Sequence, residues 1–319
     1  MSGAGHAWGK VILLGEHAVV YGVPAIAVGI DRGVSARAVA LGEGPSLLAV
    51  GSWNIAVRED DPENDLARGL RALLDAVRQE VPALPPFSLE VESDLPPGGG
   101  LGCSAAIGVA IARAVAPGAS EEAVQARAMA WESVFHGTPS GIDAAVAARG
   151  GCLLFRKGQA PGAVHVRGGP LYLCVGNTGI PSSTKDMVEG VARLRARRPE
   201  VTEKSFEAVR SLVNNARYAI EAGDQVALGR LMDLNQMVLG GLLVSTPEIE
   251  GMCALAREAG ALGAKLTGAG GGGSVVALVP SPAASDAVLA AWRGDGLDGF
   301  ATCVARETRV RPLESETSP

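Results

Sequence analysis

The chain has 319 residues, of which 47% are hydrophobic and 19% are charged, and its formal net charge is −6. This apolar content is too high, and the charge too small, for a disordered chain. The acidic balance argues against a nucleic-acid partner, since such binding depends largely on basic side chains. The length is that of about two domains. Forty-three residues are glycine, without the three-residue period of collagen, so their clustering needs another explanation.

The cysteines and the apolar runs predict a cytoplasmic protein. Five cysteines, an odd number without a C-x-x-C pair, are typical of reduced thiols. The histidines form no recognisable zinc motif. The apolar run at 11–14 lacks the preceding basic region of a signal peptide. No run approaches the ~18 apolar residues of a membrane helix, so we expect no membrane partner.

Apolar periodicity predicts a mixture of strands and helices. Helical spacing is clear in residues 66–81, where Asp65 is the expected N-cap, and strict alternation marks a half-exposed strand at 87–92. In the first half we predict strands at 11–14, 25–30, 34–41 and 87–92, and helices at 66–81, 104–115, 120–135 and 143–148. In the second half we predict strands at 152–155, 171–175, 265–267, 274–279 and 301–304, and helices at 182–198, 204–222, 225–239, 247–259 and 283–293.

The pattern favours an α+β fold, since the strands alternate rather than form solid apolar runs. A Pro/Gly-rich break at 161–169 predicts the domain boundary, giving domains 1–168 and 169–319. Residues 313–319 form a polar tail.

A first glycine cluster joins a predicted strand to a predicted helix. Residues 96–106 read PPGGGLGCSAA, with four glycines in five positions. Glycine allows close backbone approach, and a helix N-terminus offers unpaired N–H groups to phosphate. Ser104 could place a hydroxyl on a metal ion. The P-loop pattern is absent, and the G-x-G-x-x-A match lacks the strand and acidic residue of a dinucleotide site. The alternative is a tight turn without a ligand.

A second cluster precedes a predicted buried strand. Residues 265–274 read KLTGAGGGGS. Consecutive glycines lose much conformational entropy on folding, so close backbone approach is the expected reason for them. A flexible linker is the alternative, but a linker would not run directly into an apolar strand.

Five polar residues stand in otherwise apolar surroundings: Lys10, Glu16, His17, Glu132 and Asp143. Taken singly, such residues are usually helix caps or solvent-exposed charges. Together with two glycine loops they supply the parts of a phosphoryl-transfer site, namely a phosphate cradle, metal ligands, a cation and a base.

These segments resemble the three motifs of the GHMP kinases, in the family's order, over residues 9–274. Residues 9–22, GKVILLGEHAVVYG, and 136–143, HGTPSGID, are most similar to the mevalonate kinase branch. Galactokinases carry Arg in place of Lys10, and phosphomevalonate kinases lack the Glu-His pair. The resemblance implies an N-terminal domain like ribosomal protein S5 domain 2, a ferredoxin-like C-terminal domain, and an active site between them.

The resemblance also implies an activity: ATP-dependent phosphorylation of the mevalonate C5 hydroxyl in isoprenoid biosynthesis, with Mg²⁺. Asp143 would be the catalytic base and Lys10 the lysine that stabilises developing charge. Ser104 and Glu132 would be metal ligands. The phosphate loop would comprise Gly98, Gly99, Gly100, Leu101, Gly102, Cys103 and Ser104. The substrate pocket would include Glu16, His17, Thr184, Gly270 and Gly271. A homodimer is expected.

Two residues depart from the family pattern. Trp8 stands where Pro is usual, and Cys103 replaces the first Ser of a Gly-Ser-Ser, which raises the prospect of a thiol-sensitive site. Two other hypotheses stay open: a kinase of the same fold for phosphomevalonate, a galactose-like sugar or another small alcohol, and a catalytically inactive ligand sensor. The presence of Lys10, Ser104, Glu132 and Asp143 argues against the sensor.

Overall fold

The computed structural model describes residues 2–96, 99–136 and 139–304. Helices and mainly antiparallel strands follow one another in blocks over these residues, which confirms the predicted α+β class. The strands are β1 (Ser2–Leu14), β2 (Ala25–Ala40), β3 (Leu47–Val50), β4 (Ile55–Arg58), β5 (Phe87–Ser93), β6 (Cys152–Phe155), β7 (Gly162–Ala163), β8 (Leu171–Asn177), β9 (Gly263–Thr267), β10 (Ser274–Val279) and β11 (Asp298–Val304). The helices are α1 (Asp65–Glu80), α2 (Cys103–Val115), α3 (Glu121–His136), α4 (Ile142–Arg149), α5 (Thr184–Arg197), α6 (Pro199–Ala222), α7 (Gln225–Gly241), α8 (Pro247–Glu258) and α9 (Pro282–Gly294).

The first sheet is built on the long hairpin β1–β2. Its strand order is β4-β3-β5-β2-β6-β7, with β1 on β2, and β3 and β5 form its parallel pair. Helix α2 packs so closely on β1 that some positions of the strand leave no room for a side chain. A Cβ at Gly5 would lie 2.0 Å from the Ala110 carbonyl oxygen. Glycine at this position therefore lets the helix approach the strand.

The second sheet is antiparallel, in the order β11-β8-β10-β9. Helices α8 and α9 pack against it, and the Trp292 side chain is fully buried there, donating from Nε1 to the Met252 carbonyl. The described strands of the first sheet end at Ala163 and those of the second begin at Leu171. The domain boundary at 168/169 lies between them and stays a prediction.

Two side chains of the second sheet form hydrogen bonds with backbone groups of the N-terminal half of the chain. The Thr267 hydroxyl accepts from the Ile12 backbone N–H at 2.9 Å and donates to the Ile12 carbonyl at 3.2 Å. The Ser274 hydroxyl donates to the Gly99 carbonyl at 2.6 Å. Both glycine clusters are thereby drawn to one place.

The structure corrects several predicted elements. Strand β1 begins at Ser2 rather than at 11, and β2 joins two predicted strands into one. The N-cap of α1 is Asn64, whose side chain accepts from two backbone N–H groups, and Asp65 is the first helical residue. Strands β3, β4 and β7 were not predicted, and α6 begins earlier than expected, at Pro199. The predicted tail at 313–319 lies outside the described residues.

No helix in the described ranges has both the length and the apolar character needed to cross a membrane.

Candidate active site

A cleft of about 800 Å³ lies between the two glycine clusters and the N-terminal ends of α4 and α5. It gathers most of the residues predicted from sequence. Those lining it are Lys10, Glu16, His17, Gly99, Gly100, Leu101, Gly102, Cys103, Ser104, Glu132, Asp143, Thr184 and Gly270. Of the others, Gly98 lies outside the described residues, and Gly271 is not among those lining the cleft.

An ion pair joins Lys10 to Asp143 in the cleft. The Lys10 Nζ lies 3.2 Å from Asp143 Oδ1, and the lysine side chain is 4% exposed whereas the aspartate is 36% exposed. Lys10 is fixed by β1 and by its backbone N–H, which donates to the Leu101 carbonyl at 2.9 Å. Asp143 sits in the first turn of α4, after Gly141 at φ 87°. The buried cation thus orients a carboxylate that solvent and a substrate can reach.

The first glycine cluster leaves the N-terminus of α2 open. Gly102 is the N-cap at φ 73°, and no side chain caps the helix. A Cβ at Gly102 would lie 2.8 Å from Lys10 Cγ, so only glycine lets the loop pass the lysine stem. The first N–H groups of α2 are therefore available to an anion.

The thiol at the start of α2 is partly shielded. Cys103 Sγ lies 3.4 Å from the Ser93 hydroxyl. Burial raises the pKa of the Cys103 thiol, with a smaller opposing effect from that hydrogen bond. A raised pKa leaves less of the nucleophilic thiolate, so this environment does not activate the sulfur.

Ser104 and Glu132 form a compact pair of oxygen donors. The Ser104 hydroxyl donates to Glu132 Oε1 at 2.5 Å and accepts from Trp131 Nε1 at 3.2 Å. Burial raises the pKa of Glu132 to about 7, opposed by the Ser104 hydrogen bond, while nearby Asp143 raises it further. The described residues contain no cluster of three or more His, Cys, Asp or Glu arranged around a metal. A cation here would need further oxygen ligands from a bound molecule.

Glu16 makes a buried ion pair that sequence reasoning missed. Lys265 Nζ donates to Glu16 Oε1, and both side chains are fully buried. Asn235 Nδ2 donates to Glu16 Oε2 at 3.3 Å. Burial lowers the pKa of Lys265, and Glu16 opposes that effect. A lysine within an apolar strand was the available signal, but its partner lies 249 positions away.

His17 contacts the second glycine cluster. Its Nε2 donates to the Ala269 carbonyl at 2.8 Å, and its side chain is buried. Burial lowers the pKa of His17, partly offset by that hydrogen bond and helped by the positive charge of Lys265. The ring is therefore neutral near pH 7, with Nδ1 as an acceptor.

The second cluster supports the N-terminus of α5. Ser182 donates to the Gly270 carbonyl, and the Gly271 N–H donates to the Val244 carbonyl at 2.7 Å. A Cβ at Gly271 would lie 2.5 Å from the Met187 sulfur. Gly271 is thus a packing position that lets α5 approach, and Thr184, the first residue of α5, reaches the cleft.

A second cavity of about 520 Å³ adjoins the cleft. It shares Leu101 and Ser274 with the cleft and is walled by Trp53, Pro96 and Phe300. Its aromatic and apolar walls suit a flat ring system placed next to the phosphate loop.

Comparisons with known proteins agree with this arrangement. The family model described as "GHMP kinases N terminal domain" matches residues 66–151, and "GHMP kinases C terminal" matches residues 216–296. The chain is 36% identical to the mevalonate kinase of Pyrococcus abyssi over 85% of this chain and 87% of the relative. It is also 36% identical to that of Aeropyrum pernix, over 85% and 86%.

The fold is also similar to a solved structure. The mevalonate kinase of L. major, determined in complex with R-mevalonate, superposes with a TM-score of 0.83 at 30% identity, covering 95% of this chain and 96% of that one. Given this identity over most of each chain, this protein belongs to the mevalonate kinase family of the GHMP kinases.

Proposed function

We propose that this enzyme transfers the γ-phosphoryl group of ATP to the C5 hydroxyl of mevalonate, giving 5-phosphomevalonate and ADP. The Lys10–Asp143 ion pair beside the open N-terminus of α2 is the observation that carries the proposal. It sets a proton acceptor and a cation next to a phosphate cradle, which is the arrangement that phosphoryl transfer to an alcohol needs. The names of the relatives supply the identity of the alcohol.

Asp143 is the proposed proton acceptor. The carboxylate is the more exposed member of the pair, so a substrate hydroxyl can hydrogen-bond to it. Lys10, held between β1 and the glycine loop, would stabilise negative charge that develops on the attacking oxygen. Most of the acceleration would come from holding the hydroxyl in line with the γ-phosphorus.

The glycine loop and the second cavity together suit ATP. We place the triphosphate across residues 99–104, against the free N–H groups of α2. The nucleoside would then enter the cavity walled by Trp53 and Phe300, which shares Leu101 with the cleft. Trp53 Nε1 is buried without a partner among the described residues, and a nucleoside acceptor atom would satisfy it.

The donor set next to the loop fits Mg²⁺. This ion prefers oxygen ligands and is commonly held by one or two carboxylates together with substrate phosphates. Glu132 and Ser104 would hold it, and both are oxygen donors lining the cleft. When bound, Mg²⁺ neutralises charge on the transferred phosphoryl group. Since the pKa of Glu132 is about 7 in the apo chain, metal binding near neutral pH would release a proton.

Recognition of the alcohol would depend on His17 and Thr184 rather than on Glu16. Lys265 and Asn235 already engage both carboxylate oxygens of Glu16, so that residue holds the pocket wall in place. His17 Nδ1 can accept a hydrogen bond from a substrate hydroxyl, because Nε2 donates to Ala269.

The activity is tested by coupled ADP release with mevalonate, phosphomevalonate and galactose as separate acceptors. We expect turnover with mevalonate and at least a hundredfold lower kcat/KM with the other two, roughly 3 kcal/mol of discrimination. Lack of turnover with mevalonate would refute the proposal. Preference for phosphomevalonate or galactose would favour another kinase of the same fold. Tight mevalonate binding without any turnover would favour the sensor.

We further propose a homodimer acting in the cytoplasm. All five cysteines are free, which supports a reducing compartment. Analytical ultracentrifugation of the purified chain tests the dimer, and fractionation of source cells tests the location. A monomer at micromolar concentration, or recovery outside the cytoplasmic fraction, would contradict them.

A further inference from the structure

Mevalonate, the substrate of the proposed function, carries a carboxylate. Which side chain binds this carboxylate is inferred below, and the inference rests on that proposed function. Three described side chains that line the cleft can carry positive charge: Lys10, His17 and Lys185. A carboxylate that leaves water for a cleft needs a cation or several hydrogen-bond donors. The three candidates differ in what they already contact.

Two of these side chains already have partners within the protein. Lys10 is 4% exposed and is paired with Asp143 at the reacting end of the cleft. His17 uses Nε2 on the Ala269 carbonyl, and burial lowers its pKa, so the ring is neutral and Nδ1 accepts rather than donates. Neither therefore offers an unpaired positive charge to a bound anion.

The third of these side chains is that of Lys185. It is exposed, lines the cleft, and makes no hydrogen bond or ion pair with any residue in the described part of the chain. Glu189, one helical turn further along, is instead near Arg193 at 3.6 Å. Lys185 thus offers a charge for which the described residues supply no partner.

The N-terminus of α5, which carries Lys185, is anchored by two hydrogen bonds. Ser183 caps α5 by accepting from the Asp186 N–H at 3.2 Å, and Ser182 is bonded to Gly270. Lys185 directly follows Thr184, and the same glycine cluster contacts His17 through Ala269. Ser182 and His17 are thus both bonded to the second glycine cluster, and Lys185 and Thr184 line the same cleft as His17.

We infer that Lys185 is the residue that recognises the substrate's carboxylate. It selects a hydroxy acid over a neutral alcohol of the same shape. The phosphate groups of ATP would be the other anions in the cleft, and the test separates the two.

The test uses the full chain and (R)-mevalonate at saturating ATP. Lys185→Met should raise KM for mevalonate about 10- to 100-fold, as expected for loss of a hydrogen bond to a charged group, while KM for ATP changes less than about twofold. Lys185→Arg should restore most of the affinity. Lys204→Met, an exposed lysine on α6 outside the cleft, is the matched control and should behave as wild type.

A neutral analogue separates charge recognition from shape. 3-Methylpentane-1,3,5-triol replaces the carboxylate by a hydroxymethyl group, and its inhibition constant against mevalonate should be the same for wild type and Lys185→Met. An unchanged KM for mevalonate, a rise in KM for ATP instead, or an equal loss of triol binding would each overturn the inference. Since wild type is assayed alongside, failure of the proposed function would show separately as absence of mevalonate turnover.

Discussion

Replacing Lys265 by methionine removes one half of a buried ion pair and leaves the other half in place. Both side chains are fully buried, so the Glu16 carboxylate would stay away from water. In the described structure its remaining hydrogen bond would come from Asn235 Nδ2 at 3.3 Å. Methionine is close to lysine in volume, so little cavity is created. Removing one partner of a buried pair costs about 3–5 kcal/mol, which we expect here.

Urea unfolding followed by circular dichroism measures this loss. The matched control is Arg210→Met, which breaks an ion pair of 3.0 Å with Glu207 whose members are 37% and 68% exposed. Exposed pairs are worth at most about 1 kcal/mol, so the control should hardly move the unfolding midpoint. The contrast isolates burial as the cause.

A second substitution tests whether the orphaned charge is responsible. Glu16→Gln added to Lys265→Met removes that charge and should recover part of the lost stability, so the two effects are non-additive. A cost of less than about 1 kcal/mol for Lys265→Met, or a double variant less stable than Lys265→Met alone, would show that the buried pair does not stabilise the fold in this way.

Three further outcomes are expected. Asp143→Asn should lower kcat by about 10²- to 10⁴-fold while ATP binding, measured by calorimetry, is retained; full activity would remove the base assignment. Burial raises the pKa of Glu132 to about 7 from 4.5. In metal-free buffer, the stability of wild type relative to Glu132→Gln should therefore be greatest below pH 4.5 and fall by about 3 kcal/mol as pH rises through 7; parallel urea midpoints across this range would contradict it. Gly270→Ala should lower the thermal midpoint more than Gly296→Ala does. Both glycines have φ near 75°, but a Cβ at Gly270 would lie 2.1 Å from the Val244 carbonyl oxygen, whereas a Cβ at Gly296 would have no atom within 4 Å. Equal losses of thermal stability would mean that the backbone conformation alone determines the effect.

Local periodicity predicted the elements whose buried faces are regular. The helix predicted at 66–81 is found at Asp65–Glu80, because its apolar side chains recur on one face that packs in the core. Strands β3 and β4 escaped prediction because they are short and keep apolar side chains exposed, such as Leu47 at 42% and Ile55 at 38%. The start of β1 reads as a loop because of Gly3 and Gly5. Only the packing of α2 explains those glycines.

The site residues that the sequence predicts are those whose chemical role requires a particular residue type within a short segment. Lys10, Glu132 and Asp143 stand out as charges in apolar segments, and the structure brings them to one cleft. Lys265 did not stand out as a partner of Glu16, because sequence carries no signal for a pairing that depends on how the two sheets meet. Gly271 was predicted in the pocket for its motif; its N–H donates to the Val244 carbonyl, it is not among the residues that line the cleft, and its contact with substrate stays a prediction.

Phosphorylation of the C5 hydroxyl of mevalonate by this site can be observed by ³¹P NMR of the wild-type reaction with (R)-mevalonate, ATP and Mg²⁺. We expect one equivalent of ADP and a phosphomonoester resonance split by the two C5 protons. ADP formation without that resonance, a phosphate on another oxygen, or no reaction would contradict it.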